Sequence, residues 1–405
     1  MPSIDAPKAK LSFNPLDRRL IADPYPEYNR LRAAEPVHWN DVLKTWVLSG
    51  LDDVRGVLLD PGFRAVRSSI IVGEIARRTG RDWGDLLYFL DAILFFKEGA
   101  PHERDRRTLS KVMTRIRLSE LDPAINEMTH KLMAPLRDRQ SFDLIADFAE
   151  ILPQQVMAHI LDLPQGDVAV LSARLGELTL VFDPASIETY ERANQQVRWA
   201  LDLISERITE AGPDSNLRVI YDGAAGDGAE KLREAAAITL FAFRVGAETT
   251  IGLLGVIAKM LLDQSNVREA LLADPTLVDT VVSEVLRLEA NVQRVGRIAL
   301  EPRRVSGVDI AAGDRLLLLL GAANRDPVAF EPADKVALEG QASTDLAFGA
   351  GKHFCLGASL ARLEGRIALT AFLDLPVLEP AGEPVWFGGR TIRRLTSLPV
   401  RVATP

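Results

Sequence analysis

The chain has 405 residues, 47% of them apolar, with 56 acidic against 48 basic side chains and a formal net charge of -8, which disfavours a nucleic-acid function. Its one cysteine excludes an intrachain disulfide scaffold and fits a reducing compartment. Met1 to Asn14 has no secretory apolar core, and the apolar run from Leu316 to Ala323 is too short to cross a bilayer, so the expected protein is soluble and cytoplasmic, without membrane insertion.

Residues 1–22 read as an extended lead-in. Asp23-Pro24-Tyr25-Pro26 then opens a short helix with Tyr28 and Leu31 on its apolar side. Val37 to Trp39 and Thr45 to Leu48 are strand-like and form an early hairpin. Leu51 to Leu59 reads as a helix ending at Asp60-Pro61. Residues 62–98 are less regular, with a basic part from Arg64 to Arg81 and an aromatic part running from Trp83 through Phe95-Phe96. Pro101-His102-Glu103-Arg104-Asp105-Arg106-Arg107 starts another helix. His102 and Arg106 are four residues apart and share a helix face. That spacing suits either an anion grip or a solvated charged face.

Residues 115–215 hold several amphipathic helices, broken near Leu163-Pro164 and at Phe182-Asp183-Pro184. His38, His130 and His159 lack metal-ligand spacing and read as packing or surface residues. Gly212 to Gly228 reads as a turn cluster. Ala229 to Leu262 is a long helix, strongly apolar from Ala235 to Leu254 and interrupted by Arg244-Val245-Gly246-Ala247-Glu248-Thr249-Thr250. A Glu and a Thr in such a helix need polar partners, and a threonine can donate to its own i-4 carbonyl. Arg244 stands four residues before Glu248 and can pair with it, or can reach an acidic group on a substrate.

Val281 to Leu288 is a further helix carrying Glu284 and Arg287 at i,i+3. Asn291 to Arg297 follows, then strands at Ile298–Leu300, Gly307–Ile310 and Arg315–Leu320. Phe348-Gly349-Ala350-Gly351-Lys352-His353-Phe354-Cys355-Leu356-Gly357 is glycine-rich and leads into a helix from Ala358 to Leu373. Glycines permit tight turns that bring backbone N–H groups near a sulfur, and a helix start favours a thiolate. On composition alone, a lone cysteine is a buried small hydrophobe. Strands including Val400-Arg401-Val402 close the chain.

The spacing of Phe348, Gly351, Cys355 and Gly357, with Gly349 and His353, resembles the haem-binding loop of the cytochrome P450 superfamily, the haem-thiolate monooxygenases. The likeness extends through most of the chain and implies a single catalytic domain over residues 1–405. It implies a mostly α fold with smaller β-sheets, with haem b between the long distal helix and the cysteine-loop helix. Cys355 would then be the axial iron ligand, and His102, Arg106, Arg297 and His353 would hold the propionates. Glu248 and Thr249 match the family's acid–alcohol pair, with Thr249 handling dioxygen and Glu248 helping to deliver protons through water. Val245 stands where the family usually has Ala or Gly.

Glu284 and Arg287 match a structural ion pair behind the haem. The family closes that network with an arginine before the cysteine loop, yet no arginine occurs from Asp326 to Leu360, so Lys335 or a backbone carbonyl is the expected substitute. Phe89, Arg244, Val245, Val292, Gln293, Val295, Leu395 and Thr396 are candidates for the substrate pocket, and the helix around residues 186–210 for its lid. The implied reaction inserts one oxygen atom from O2 into a small or medium, largely apolar organic compound. Electrons would come from a separate ferredoxin and ferredoxin reductase, steered by Arg104, Arg107, Lys111, Lys352 and Arg362. A peroxide-using haem-thiolate oxygenase and a haem-binding sensor are the alternatives.

Overall fold

The structure is a computed structural model that describes residues 13–115, 118–341 and 345–403. The expectations for the first twelve residues lie outside it. The architecture follows from the long apolar segment. Gly228–Asp263 is one continuous 36-residue helix without a proline. Side chains around most of its circumference are buried between Ala235 and Met260, as expected of a helix that is hydrophobic on nearly all sides. It is the one helix among the described residues long and apolar enough to cross a membrane, but 67% of its most apolar stretch is buried inside the protein. It packs against the helices Leu152–Leu161, Ile187–Glu210 and Ala358–Leu373.

The β-structure lies at the edges. Twelve strands are described: β1 (Val37–Asn40), β2 (Thr45–Leu48), β3 (Phe63–Ala65), β4 (Ser141–Asp143), β5 (Arg294–Ala299), β6 (Arg303–Val305), β7 (Val308–Ile310), β8 (Arg315–Leu319), β9 (Leu378–Pro380), β10 (Val385–Trp386), β11 (Leu395–Ser397) and β12 (Pro399–Val402). The largest sheet has the order β1-β2-β8-β5-β3. Its β2–β8 pair is parallel and its other pairs antiparallel. Smaller sheets are β4-β12-β9, β10-β11 and β6-β7. A β-strand points successive residues to opposite faces, so Arg294 and Arg297, three apart in β5, are buried on opposite sides of the sheet.

The expected helices at Leu51–Leu59 and Ala358–Leu373 have those boundaries. Several other expectations need correction. Within the lead-in, Arg19–Ala22 is a helical turn. Residues 62–98 contain two regular helices, Ser68–Thr79 and Gly84–Ala92. Inside the supposed turn cluster, Asn216–Gly223 is helical because the Ser215 hydroxyl caps it, accepting from the Leu217 N–H at 3.1 Å. The glycines and aspartates around this helix masked the short apolar face of Leu217 and Ile220. The strand expected at Ile298–Leu300 starts earlier, at Arg294, and ends before the exposed Leu300. The chain after β8 turns helical at Leu320–Ala323 instead of continuing as strand.

One buried group carries a stability consequence. Glu364, on the helix after the cysteine loop, is 1% exposed, and its Oε2 has no hydrogen-bond partner. Burial pushes its carboxyl up to about 8 from an ordinary value of 4.5. The folded chain therefore keeps a proton that the unfolded chain releases above 4.5. This contribution is fully present below that pH and is lost as pH rises toward 8, by at most about 1.4 kcal/mol per pH unit. Glu364→Gln should leave denaturant stability nearly unchanged at about pH 5 and raise it by about 2 kcal/mol or more at about pH 8. Equal effects at the two pH values would contradict this assignment.

Candidate active site

The cysteine loop is shaped by two glycines. Gly349 and Gly351 have φ of 70° and 69°, a region that side chains with a Cβ rarely adopt. At Gly351 a Cβ would also stand 3.0 Å from the Leu58 carbonyl oxygen, so the loop lies directly against the end of helix Leu51–Leu59. A short 3-10 turn spans Gly351–His353, and the Cys355 N–H donates to the Phe348 carbonyl at 3.0 Å. The loop thereby folds back on itself, and the helix begins three residues after the cysteine. Solvent reaches the Cys355 side chain, yet protein atoms crowd it. Burial raises its thiol above the ordinary value, while the Gly357 N–H and the Arg106 charge pull the other way. Helix start and glycines alone therefore do not make this sulfur a thiolate. A bound metal cation would, because a coordinating thiol is deprotonated.

Four nitrogen-bearing side chains gather around this loop. The rings of His102 and His353 are 4.7 Å apart, edge to face. His102 Nε2 and His353 Nδ1 are buried without a partner. Arg297 is 7% exposed and donates only to the adjacent Gly296 carbonyl, at 2.9 Å. Arg106 makes no ion pair among the described residues. Burial lowers His353 to about 4, assisted by the neighbouring Arg297 charge. Burial and Arg106 lower His102. Neutral imidazole donors and two guanidiniums without a carboxylate partner fit a dicarboxylate, and the two propionates of haem b would supply that chemistry. The residues present fit the cofactor on both sides: sulfur for the metal and cations for the acids. Glu98 was not anticipated here. It pairs with Lys352, accepts the Ala65 N–H at 3.1 Å, and stands 3.4 Å from His353 Nε2. Its signal was an acid immediately before the His102 helix.

The polar interruption of the long helix divides in two. Thr249 is half-buried, and its hydroxyl donates to the Val245 carbonyl at 3.1 Å; Thr250 does the same to Gly246 at 3.2 Å. Glu248 lies on another face and is 1% exposed. Arg244 donates to its Oε2. Its Oε1 accepts from Arg394 Nε at 2.5 Å and from the Thr179 hydroxyl at 3.2 Å. The carboxylate is thus clamped between its own helix, the segment Leu178–Phe182, and the C-terminal β-region. Arg394 and Thr179 were invisible to local reading, since they are 146 and 69 residues from Glu248.

Known proteins resemble this chain over most of its length. Residues 257–381 match the Cytochrome P450 family model. The cytochrome P450 monooxygenase PikC of Streptomyces venezuelae is 32% identical over 96% of this chain and 94% of its own. The biotin biosynthesis cytochrome P450 of Bacillus subtilis is 30% identical over 87% of this chain and 89% of its own. The solved structure of P450BioI in complex with hexadec-9Z-enoic acid-ligated acyl carrier protein superposes with a TM-score of 0.86 at 28% identity, covering 95% of this chain and 99% of that one. The chain belongs to the cytochrome P450 superfamily.

In this cytochrome P450 the Glu284–Arg287 pair is closed by backbone. Arg287, 2% exposed, donates to Glu284 at 3.0 and 2.8 Å and to the carbonyls of Asn324, Ala333 and Lys335 at 3.0, 2.8 and 3.1 Å. Glu284 also accepts the Ala337 N–H at 2.9 Å. Lys335 contributes its carbonyl and not its ammonium. Five donors in a fixed fork let one arginine hold several chain segments, which is how the pair is satisfied without a third charged side chain.

The remaining pocket candidates are placed unevenly. Val245, Val292 and Val295 are half-buried, and Val292 bridges to Ile392. The Gln293 amide is directed to the Ala290 carbonyl at 2.7 Å and the Tyr25 hydroxyl at 3.3 Å, in the N-terminal core. Phe89 is 2% exposed within the main core, and Leu395, fully buried, packs on Gly255 of the long helix. Thr396 donates to the Val385 carbonyl at 3.2 Å. Phe95, Phe96, Phe182 and Phe241 instead form a ring cluster with centroids 4.5 to 6.2 Å apart.

Of the expected basic surface, Arg104 is bound to Glu234 at 2.6 Å and Lys352 to Glu98, whereas Arg107 stays exposed. Replacing Arg287 by Met should cost about 3 to 5 kcal/mol in denaturant stability, since Glu284 is left buried and the carbonyls of Asn324, Pro332, Ala333 and Lys335 lose their donor. A loss below about 1 kcal/mol would contradict the network.

Proposed function

We propose that this P450 inserts one oxygen atom from O2 into a small or medium, largely apolar organic substrate, drawing electrons from a separate ferredoxin and its reductase in the cytoplasm. The carrying observation is the set of under-satisfied donors gathered at the loop that presents Cys355: His102 Nε2 and His353 Nδ1, buried without a partner, and Arg106 and Arg297, which make no ion pair among the described residues. Haem b, held through Cys355 and this donor set, supplies dioxygen activation and oxygen insertion. The chain's own groups bind the substrate, control protons and exclude water.

Thr249 keeps its hydroxyl proton on the Val245 carbonyl. Rotation away from that bond lets it donate into the space beside the half-buried Val245. Glu248 is the nearest acid along the helix, and the clamp of Arg244, Arg394 and Thr179 restrains it. A proton passing through Glu248 would either use the remaining lone pair of Oε2 or displace one of these donors. The Phe95, Phe96, Phe182 and Phe241 cluster supports an apolar or aromatic substrate, as does Val245 on the same helix as Phe241. Exposed Arg107 and Lys111 support docking of an acidic electron donor.

Thr249→Ala should retain haem and thiolate ligation while lowering product formed per reducing equivalent severalfold, with the difference released as peroxide. Unchanged coupling, measured as product against cofactor consumed, would overturn the role of this hydroxyl.

A further inference from the structure

A cavity of about 580 Å³ opens between helix Ser68–Thr79, helix Gly84–Ala92 and the β3-β5-β8 part of the large sheet. Its size is that of a small-molecule site. Its charge is unlike that of the chain. Five cationic side chains line it, Arg64, Arg67, Lys97, Arg104 and Arg315, against three acids, in a protein of net charge -8. All three acids already have partners. Asp91 accepts from Ser69 at 2.6 Å and faces Arg67 at 3.6 Å. Glu98 holds Lys352, and Glu234 holds Arg104 at 2.6 Å. Lys97 is bound to Asp105 at 2.5 Å.

Arg64 and Arg315 remain without an ion pair among the described residues. Sheet register explains their juxtaposition. Arg64 is directly opposite Ile298, and Ile298 directly opposite Arg315. Cross-strand partners project to one face, so two exposed guanidiniums flank one isoleucine across three strands. Like charges so placed repel, and an anion between them removes the repulsion. Facing them, Ile70 and Ile71 are 52% and 45% exposed, on the cavity wall. Phe96 completes the apolar side and belongs also to the aromatic cluster with Phe95 and Phe182. The cavity therefore has a cationic rim, an apolar wall and a shared boundary with the aromatic residues assigned above to the substrate.

We propose that this cavity binds an anionic amphiphile, with its carboxylate or phosphate head on Arg64 and Arg315 and its hydrocarbon body along Ile70, Ile71 and Phe96. The inference rests on the monooxygenase reading only in taking that amphiphile as substrate; the binding itself is independent of catalysis.

Isothermal titration of the haem-loaded protein with dodecanoate, dodecyl phosphate and dodecanol, each as monomer, tests it. The two anions should bind about tenfold or more tightly than dodecanol, and only their affinity should weaken with added salt. The relative affinities of dodecanoate and dodecyl phosphate identify the preferred head group. The double variant Arg64→Glu/Arg315→Glu, at two exposed positions outside the cofactor site, should bring both anions to the level of dodecanol. Arg64→Gln/Arg315→Gln should do so in part. Equal binding of anion and alcohol, no binding of either anion, or anion affinity unchanged by both double variants would overturn the proposal. The carbon monoxide difference spectrum, recorded on the same samples, reports thiolate ligation separately, so the two readings fail independently.

Discussion

Buried positive charge without an anionic partner is the constraint on which the active side of this molecule depends. Arg297 is almost fully enclosed by β5 and its neighbours, and its one hydrogen bond is to the preceding residue's carbonyl. Desolvating a guanidinium costs several kcal/mol unless an anion answers it. Glu98 offsets part of that cost electrostatically, yet burial still lowers the Arg297 pKa. With His102, Arg106 and His353 in the same neighbourhood, the site is short of acidic groups and rich in donors. A dicarboxylate cofactor held through the sulfur would complete it on both counts. Cys355 and the donor set are therefore one device: the loop turns fixed by Gly349 and Gly351 put His353 and Cys355 on the same short stretch of chain.

The long helix obeys the opposite rule. It is buried nearly all round, and the few polar groups it carries are satisfied almost at once. Thr249 and Thr250 return their hydroxyls to the helix backbone, and Glu248 is surrounded by donors from three parts of the chain. That clamp ties the C-terminal β-region and the segment before helix Ile187–Glu210 to the helix that crosses the core. Motion of either element would change the donors available to Glu248.

Local pattern carried much of this organisation. The cysteine loop, the helix after it, the long helix and the Glu284–Arg287 spacing are all contiguous signals, and the resemblance to the P450 superfamily rests on them. What stayed illegible depends on distance in sequence or on competing composition. The partners of Arg287 are backbone carbonyls that no residue type announces. Arg394 reaches Glu248 across 146 positions. Gln293 resembled a polar handle for substrate, but its amide is committed to Ala290 and Tyr25. Asn216–Gly223 looked like a loop because glycine and aspartate flank it, although its serine cap and apolar face make a helix. Arg104 and Lys352 read as free surface cations, and tertiary contact with Glu234 and Glu98 removes that freedom.

The claim that Cys355 is a sulfur ligand to haem iron is tested most directly by the absorption spectrum of the ferrous carbon monoxide complex. The strongly red-shifted Soret band of thiolate ligation is the predicted result, lost on Cys355→Ala. A band in the ordinary position of histidine-ligated haem, or a red-shifted band that survives Cys355→Ala, would contradict it.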